Sequence, residues 1–93
     1  MELNRYPEAI KHYRDVLRYD SSNAQAHYQL GLAYDEIDNG KQAIIESIVA
    51  KQLLQKNNDS SRVAEIEAQL KTLFAKYSYR PEDFAGVKAL IRR

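Results

Sequence analysis

The chain contains no cysteine, and it has only three glycines and two prolines among its 93 residues. Without cysteine it can form neither a disulfide nor a thiolate metal site. The scarcity of Gly and Pro, beside abundant Ala, Leu, Lys, Glu and Gln, favours helices. Strict alternation of apolar and polar residues, which indicates a half-buried strand, is also missing. These features predict a single domain over 1–93 of the all-α class.

An excess of charge of one sign is absent as well, because 14 Lys and Arg residues balance 13 Asp and Glu residues to a net charge of +1. No apolar run approaches the roughly 20 residues that a membrane-spanning helix needs. We therefore expect neither a nucleic acid nor a membrane as partner. Binding of RNA or an anionic surface is the weakest hypothesis, because the basic residues near the C-terminus share no common stripe. These are Lys71, Lys76, Arg80, Lys88, Arg92 and Arg93.

The chain also lacks the residue patterns of enzymes and cofactor sites. His12 and His27 are the only imidazoles, and neither has a nucleophile or a metal-binding side chain at a suitable spacing. Scattered carboxylates at helical spacing are typical of a solvated helix face rather than of a paired-acid active site. No phosphate-binding glycine motif is present. The sequence predicts no catalytic, cofactor-binding or metal-binding residue, and no enzyme.

Prolines and polar clusters predict where the helices begin and end. Pro7 followed by Glu8 suits the first turn of a helix, because proline lacks an N–H that would stay unpaired there and the acid favours the positive end of the helix dipole. The same arrangement recurs at Pro81 with Glu82. Clusters of Asp, Ser, Asn and Gly separate the other helices. The resulting segments are 1–20, 24–56 as two helices, 60–78, and a short helix over 81–92.

A pattern of residues recurs along the first half of the chain. Ala9 and Ile10 are followed 34 residues later by Ala43 and Ile44. Between the two copies lies His27-x-x-Leu30-Gly31-x-x-Tyr34. This spacing and this motif resemble the tetratricopeptide repeat, a helical hairpin of 34 residues. The resemblance implies a right-handed solenoid of α-α hairpins, with about one and a half repeats, a capping helix and a short extra helix.

The resemblance assigns different roles to the helices. Segment 1–20 corresponds to the second helix of an incomplete repeat, and 24–56 corresponds to a complete repeat. The helix over 60–78 resembles the capping helix of such arrays, because its apolar residues form a single stripe. Those residues are Val63, Ile66, Leu70, Leu73 and Tyr77. Because the helix that would precede segment 1–20 is missing, the chain is either a fragment of a longer protein or a natural protein that lacks half a repeat, and we favour the fragment.

Repeats of this family hold other proteins on their concave face. The motif residues occupy the buried side of the second helix, and the opposite side then predicts a partner-binding face for a peptide or a helix. That face comprises Gln25, Tyr28, Gln29, Leu32, Asp35 and Glu36. The pairing of an aromatic residue with an aliphatic one favours recognition over a merely solvated face. The sequence does not identify the protein partner.

Self-association is the alternative function. The first helix has no preceding helix to cover its apolar residues, and an uncovered apolar patch tends to associate with another protein surface. The predicted patch is Ile10, Tyr13, Val16 and Leu17, and its predicted mate in a homodimer or open array is Phe84, Val87, Leu90 and Ile91. Residues 1–20 lack the apolar core of a signal peptide, so we favour a cytoplasmic location.

Overall fold

The computed structural model describes residues 6–87, and within that range the chain forms helices and no strands. The α-helices are α1 (Tyr6–Tyr19), α2 (Ala24–Glu36), α3 (Gly40–Lys56) and α4 (Ser60–Tyr77), followed by a 3₁₀ helix at Pro81–Phe84. The predicted all-α class is confirmed, and the order of helices agrees with a helical-hairpin repeat. Residues 1–5 and 88–93 lie outside the described residues.

Short polar turns join the α-helices. Asn23 and Asp59 each accept a hydrogen bond from the backbone N–H three residues further on, at 2.9 and 3.3 Å. This contact pairs a donor that would otherwise be free in the first turn of the helix. Asp38 and Asn58 adopt a φ of 60°, a left-handed conformation that Asp and Asn tolerate better than most residues. The turns therefore stop one helix and cap the next.

Each helix packs on its neighbours in the sequence, so that α1 contacts α2, α2 contacts α3, and α3 contacts α4. The inner helix α3 is covered from more than one side, as its wide spread of apolar residues predicts. Its buried residues are Gly40, Ala43, Ile44, Ser47, Ala50, Leu53 and Leu54. By contrast, α4 buries only Ile66, Leu70 and Leu73 along one stripe. This is the pattern expected of an outer helix with one solvent-exposed face.

Gly40 at the start of α3 allows the end of α4 to approach closely. A side chain at this position would overlap the ring of Tyr77, so only hydrogen fits there. The ring of Tyr77 thus lies directly on the backbone where α2 turns into α3. This contact anchors the last turn of α4 to the centre of the molecule.

The C-terminal segment differs from the predicted helix over 81–92. Among the described residues of this segment, 81–87, the helical geometry is limited to the 3₁₀ helix Pro81–Phe84, and a turn follows through Gly86. Glycine disfavours a continuing helix, and the N–H of Val87 donates to the carbonyl of Phe84 to close the turn. The remainder of the prediction, from residue 88 onward, lies outside the described residues.

The segment Tyr79–Val87 folds back on its own chain instead of projecting an apolar side. Phe84 is only 7% exposed and packs beside the rings of Phe74 and Tyr79, at centroid distances of 6.0 and 5.2 Å. The side-chain amide of Gln52 donates to the carbonyl of Val87 at 2.9 Å. Phe84 and Val87, which the sequence predicts as a contact for another chain, both pack within their own chain.

Candidate functional site

Helix α2 is the element on which the candidate site is built, because other helices pack on both sides of it. Leu30 is 2% exposed and contacts a small cluster with Ile10 and Ala33, which joins α2 to α1. Gly31 faces α3, where an added Cβ would lie 3.0 Å from Ser47 Oγ and 3.2 Å from the carbonyl oxygen of Ala43. The motif residues therefore fix the rotation of α2 about its axis.

His27 joins the start of α2 both to α3 and to the turn before α2, with one hydrogen bond to each. Its Nδ1 lies 2.7 Å from Glu46 Oε1, and its Nε2 lies 3.0 Å from the carbonyl oxygen of Ser21. The Ser21 carbonyl and an ionised Glu46 carboxylate both accept hydrogen bonds, so these two contacts favour the doubly protonated, cationic imidazole. Burial lowers the pKa of His27, but the bonds to Glu46 and Ser21 outweigh it and leave the pKa raised. His27 and Glu46 thus form an ion pair with a structural role.

Asp35 holds the end of α2 to α4. The Tyr77 hydroxyl donates to Asp35 Oδ1 at 2.6 Å, and Lys76 Nζ donates to the same oxygen at 2.9 Å. Burial alone raises the pKa of Asp35, but the bonds from Tyr77 and Lys76 outweigh it and hold the pKa below its usual value. The carboxylate that the sequence pattern offers to a ligand is therefore already paired within the chain.

Tyr28 lies in a groove between α2 and α4 rather than on an open surface. Its ring is partly buried against the core cluster that contains Ile66. The groove has a volume of about 190 Å³, and Gln25 from α2 faces Arg62 and Glu65 from α4 across it. We call it the α2–α4 groove. It combines an aromatic ring, an amide and two opposite charges.

A second and more apolar groove lies on the other side of α2, against α1. Its volume is about 280 Å³, and it is open to solvent. We call it the α1–α2 groove. It is lined by Tyr6, Ala9 and Tyr13 from α1 and by Gln29, Leu32, Ala33 and Glu36 from α2. Two aromatic rings and a leucine side chain make it more apolar than the α2–α4 groove.

The residues of the predicted partner-binding face are thus divided between the two sides of α2. Gln25 and Tyr28 belong to the α2–α4 groove, Asp35 is paired with α4, and the remaining three residues line the α1–α2 groove. Residues from the flanking helices escaped the sequence analysis, notably Tyr6 and Ala9. The 34-residue spacing already relates Ala9 to Ala43, and it could have located that side of the groove.

The residues predicted for self-association on α1 have mixed surroundings. Ile10 is buried against Leu30 of its own chain. Tyr13, Val16 and Leu17 are partly buried, and Tyr13 lines the α1–α2 groove. Leu90 and Ile91 lie outside the described residues. The α1 side of the predicted self-association contact is therefore partly open to solvent, and it coincides with the α1–α2 groove.

Among residues 6–87, no group of three or more His, Cys, Asp or Glu side chains is placed to hold a metal ion. No helix in the described part of the chain is long and apolar enough to cross a membrane.

Comparison with known proteins gives one match. Residues 1–37 match a family model described as a TPR repeat, where TPR denotes the tetratricopeptide repeat. The resemblance is confirmed by this match, which spans α1 and α2 and therefore both sides of the α1–α2 groove. No curated protein and no solved structure matches the chain. Repeats of this family generally mediate protein–protein interaction and are typically non-catalytic.

Proposed function

We propose that this chain, whose first 37 residues carry a tetratricopeptide repeat sequence, is a non-catalytic protein-binding module that holds its partner on the open side of α2. The partner contacts the α1–α2 groove first and extends over the exposed end of α2 toward Gln25. The observation that carries this proposal is the position of Leu32, which is only partly buried and lines an open groove together with two tyrosines and Gln29.

The chemistry of this surface suits a peptide or a helix. Tyr6 and Tyr13 offer apolar rings with a polar tip, a combination that is common where proteins bind one another. Gln29 beside them offers both a hydrogen-bond donor and an acceptor to backbone or side-chain groups. The groove is open at the surface, so an extended or helical segment can enter from the side.

The proposed absence of catalysis is supported by the state of the polar side chains. His27 is fully engaged by Glu46 and Ser21, and Asp35 is engaged by Tyr77 and Lys76. A general base must instead reach a substrate proton with a free lone pair. His27 and Asp35, the side chains with shifted pKa values on α2, thus serve to hold the helices together.

Self-association remains the second candidate, because the groove side of α1 is open to solvent. Tyr13, Val16 and Leu17 are partly buried at most, and a second copy could cover them. The support is weaker than for a foreign partner, since Phe84 is buried within its own chain. Sedimentation of the chain at high micromolar concentration separates the two functions, because self-association requires a dimer or larger species.

Affinity capture with matched variants tests the binding function. Leu32→Lys places a charge in the α1–α2 groove, whereas Ile37→Lys makes the same kind of change at a 41% exposed site just past the end of α2. We expect proteins captured from native cell extract by the unmodified chain to be lost with Leu32→Lys and retained with Ile37→Lys. Equal capture by the two variants would refute the assigned surface.

A further inference from the structure

The α2–α4 groove has an apolar lining with polar side chains beside it. The apolar lining comes from Ala24 and Tyr28 of α2, Leu54 of α3 and Ile66 of α4. Tyr28 also packs against the core cluster to which Leu54 and Ile66 belong, so the fold holds this lining in place. The polar lining residues are Gln25, Arg62 and Glu65, and all three are exposed. A ligand group with an apolar stem and a polar end matches this composition.

Glu65 is the charged side chain of this groove that is available to a ligand. Arg62 already faces an opposite charge, because its Nε lies 3.8 Å from Asp59 Oδ2. Within residues 6–87, Glu65 forms no hydrogen bond and no ion pair. Since Asp59 offsets the charge of Arg62, the unpaired carboxylate gives the groove a net negative charge. Charge complementarity then favours a cation as its occupant.

The far end of the same two helices shows how the chain itself holds an ammonium group. Lys76 Nζ lies 2.9 Å from Asp35 Oδ1 of α2 and 5.2 Å from the ring centroid of Tyr77. An ion pair and a cation–π contact thus act on one ammonium. Near the starts of α2 and α4, the groove offers the same two groups, because Tyr28 supplies the ring and Glu65 the carboxylate.

A lysine side chain fits both the apolar and the charged part of the groove. Its four-carbon stem can lie on Leu54 and Ile66, while its ammonium carries only hydrogen-bond donors. The carboxylate of Glu65 and the amide oxygen of Gln25 are acceptors for those donors. An acidic side chain would instead meet the unpaired carboxylate. A purely apolar one would remove Glu65 from water without giving it a partner.

We propose that the α2–α4 groove binds a lysine side chain of a protein partner, with its stem against Leu54 and Ile66 and its ammonium between Tyr28 and Glu65. This assignment rests on the proposed binding function and adds the chemistry of the partner. Tyr28 and Leu32 lie about one helical turn apart on α2, so a partner segment that contacts Leu32 can also reach this groove.

Reversible disulfide exchange measures which chemical group the groove prefers. The chain has no cysteine, so Gln25→Cys provides a single thiol beside the groove. It is equilibrated with aminobutanethiol, pentanethiol or mercaptopentanoate, which present an ammonium, a methyl or a carboxylate group on the same four-carbon stem. Mass spectrometry measures the stability of each mixed disulfide as the concentration of a competing thiol that displaces half of it. Tyr19→Cys, at an 89% exposed site, corrects for intrinsic differences among the three thiols.

Relative to Tyr19→Cys, we expect the ammonium adduct of Gln25→Cys to be about three- to tenfold more stable than the methyl adduct, with the carboxylate adduct least stable. Glu65→Gln in the same chain removes the ion pair and should lower the preference for ammonium about two- to fivefold. Glu82→Gln changes an exposed carboxylate on the 3₁₀ helix and should leave the preference unchanged.

Four outcomes would overturn the proposal. Equal stability of the three adducts would refute a selective groove. A preference for methyl would assign the groove to an apolar side chain, and a preference for carboxylate would assign it to an acidic one through Arg62. A preference for ammonium that Glu65→Gln leaves intact would refute the role of Glu65. If any of these occurs while protein capture still depends on Leu32, the lysine is wrong and the binding function stands.

Discussion

At the scale of single residues, two polar side chains of α2 hold the helix in place. His27 and Asp35 sit near opposite ends of the helix, and each is bound to a different neighbouring helix. Between them Gly31 sets the distance to α3. The open groove keeps its shape because these contacts fix the rotation and position of α2.

Replacing Gly31 by leucine tests the close approach of α2 and α3. The new side chain would meet Ser47 and the backbone of Ala43, and overpacking of this kind typically destabilises a protein by about 1–3 kcal/mol. The matched control is Gly86→Leu, since an added Cβ at Gly86 meets no atom of the described residues within 4 Å. Thermal unfolding of the two variants should show a lower midpoint for Gly31→Leu alone. Equal midpoints would contradict the assigned rotation of α2.

The ion pair of His27 predicts a dependence of stability on pH. Because the folded pKa of His27 is raised above its ordinary value, the pair stabilises the fold fully below that ordinary value, near 6.5. This stabilisation is lost as the pH rises through the raised folded pKa. The difference in unfolding free energy between the unmodified chain and His27→Gln should therefore shrink from pH 6 to pH 9. A constant or growing difference over that range would mean that folding does not raise the pKa of His27.

At the scale of elements, the helices could be predicted from local chemistry, whereas the C-terminal segment could not. Caps and breakers act within a few residues, so Asn23 and Asp59 identify helix starts from the sequence alone. The apolar residues Phe84 and Val87 look the same in sequence whether they face their own chain or another one. Only the fold shows that the cluster on α3 and α4 lies within their reach.

Phe84→Ala tests this intramolecular role. A Phe-to-Ala change in a closed core costs roughly 3–5 kcal/mol, and we expect a value near the lower end because the segment lies at the edge of the molecule. Phe84→Leu keeps most of the apolar contact and should cost less. Chemical denaturation gives both values, and sedimentation should show no change of oligomeric state with either variant. A dimer in the unmodified chain that Phe84→Ala disperses without loss of stability would contradict this assignment.

At the scale of the whole molecule, only part of the α1–α2 groove could be predicted from the sequence. Gln29, Leu32 and Glu36 could be assigned to an open face because they lie opposite the repeat motif on one helix. Their division from Tyr28 and Asp35 could not, since it depends on how α4 approaches α2 through Tyr77. The repeat pattern thus predicts which side of a helix is buried. The packing of neighbouring helices decides which part of the other side stays open to solvent.

Site-specific photocrosslinking tests the central claim, that the open side of α2 binds a protein, most directly. A benzoylphenylalanine residue replaces Leu32 in the α1–α2 groove in one variant and Ile37, outside it, in the other. After irradiation in native cell extract, we predict a discrete crosslinked species from position 32 and none from position 37, with both variants equally folded by circular dichroism. Crosslinking from position 37 alone, or from neither position, would contradict the claim.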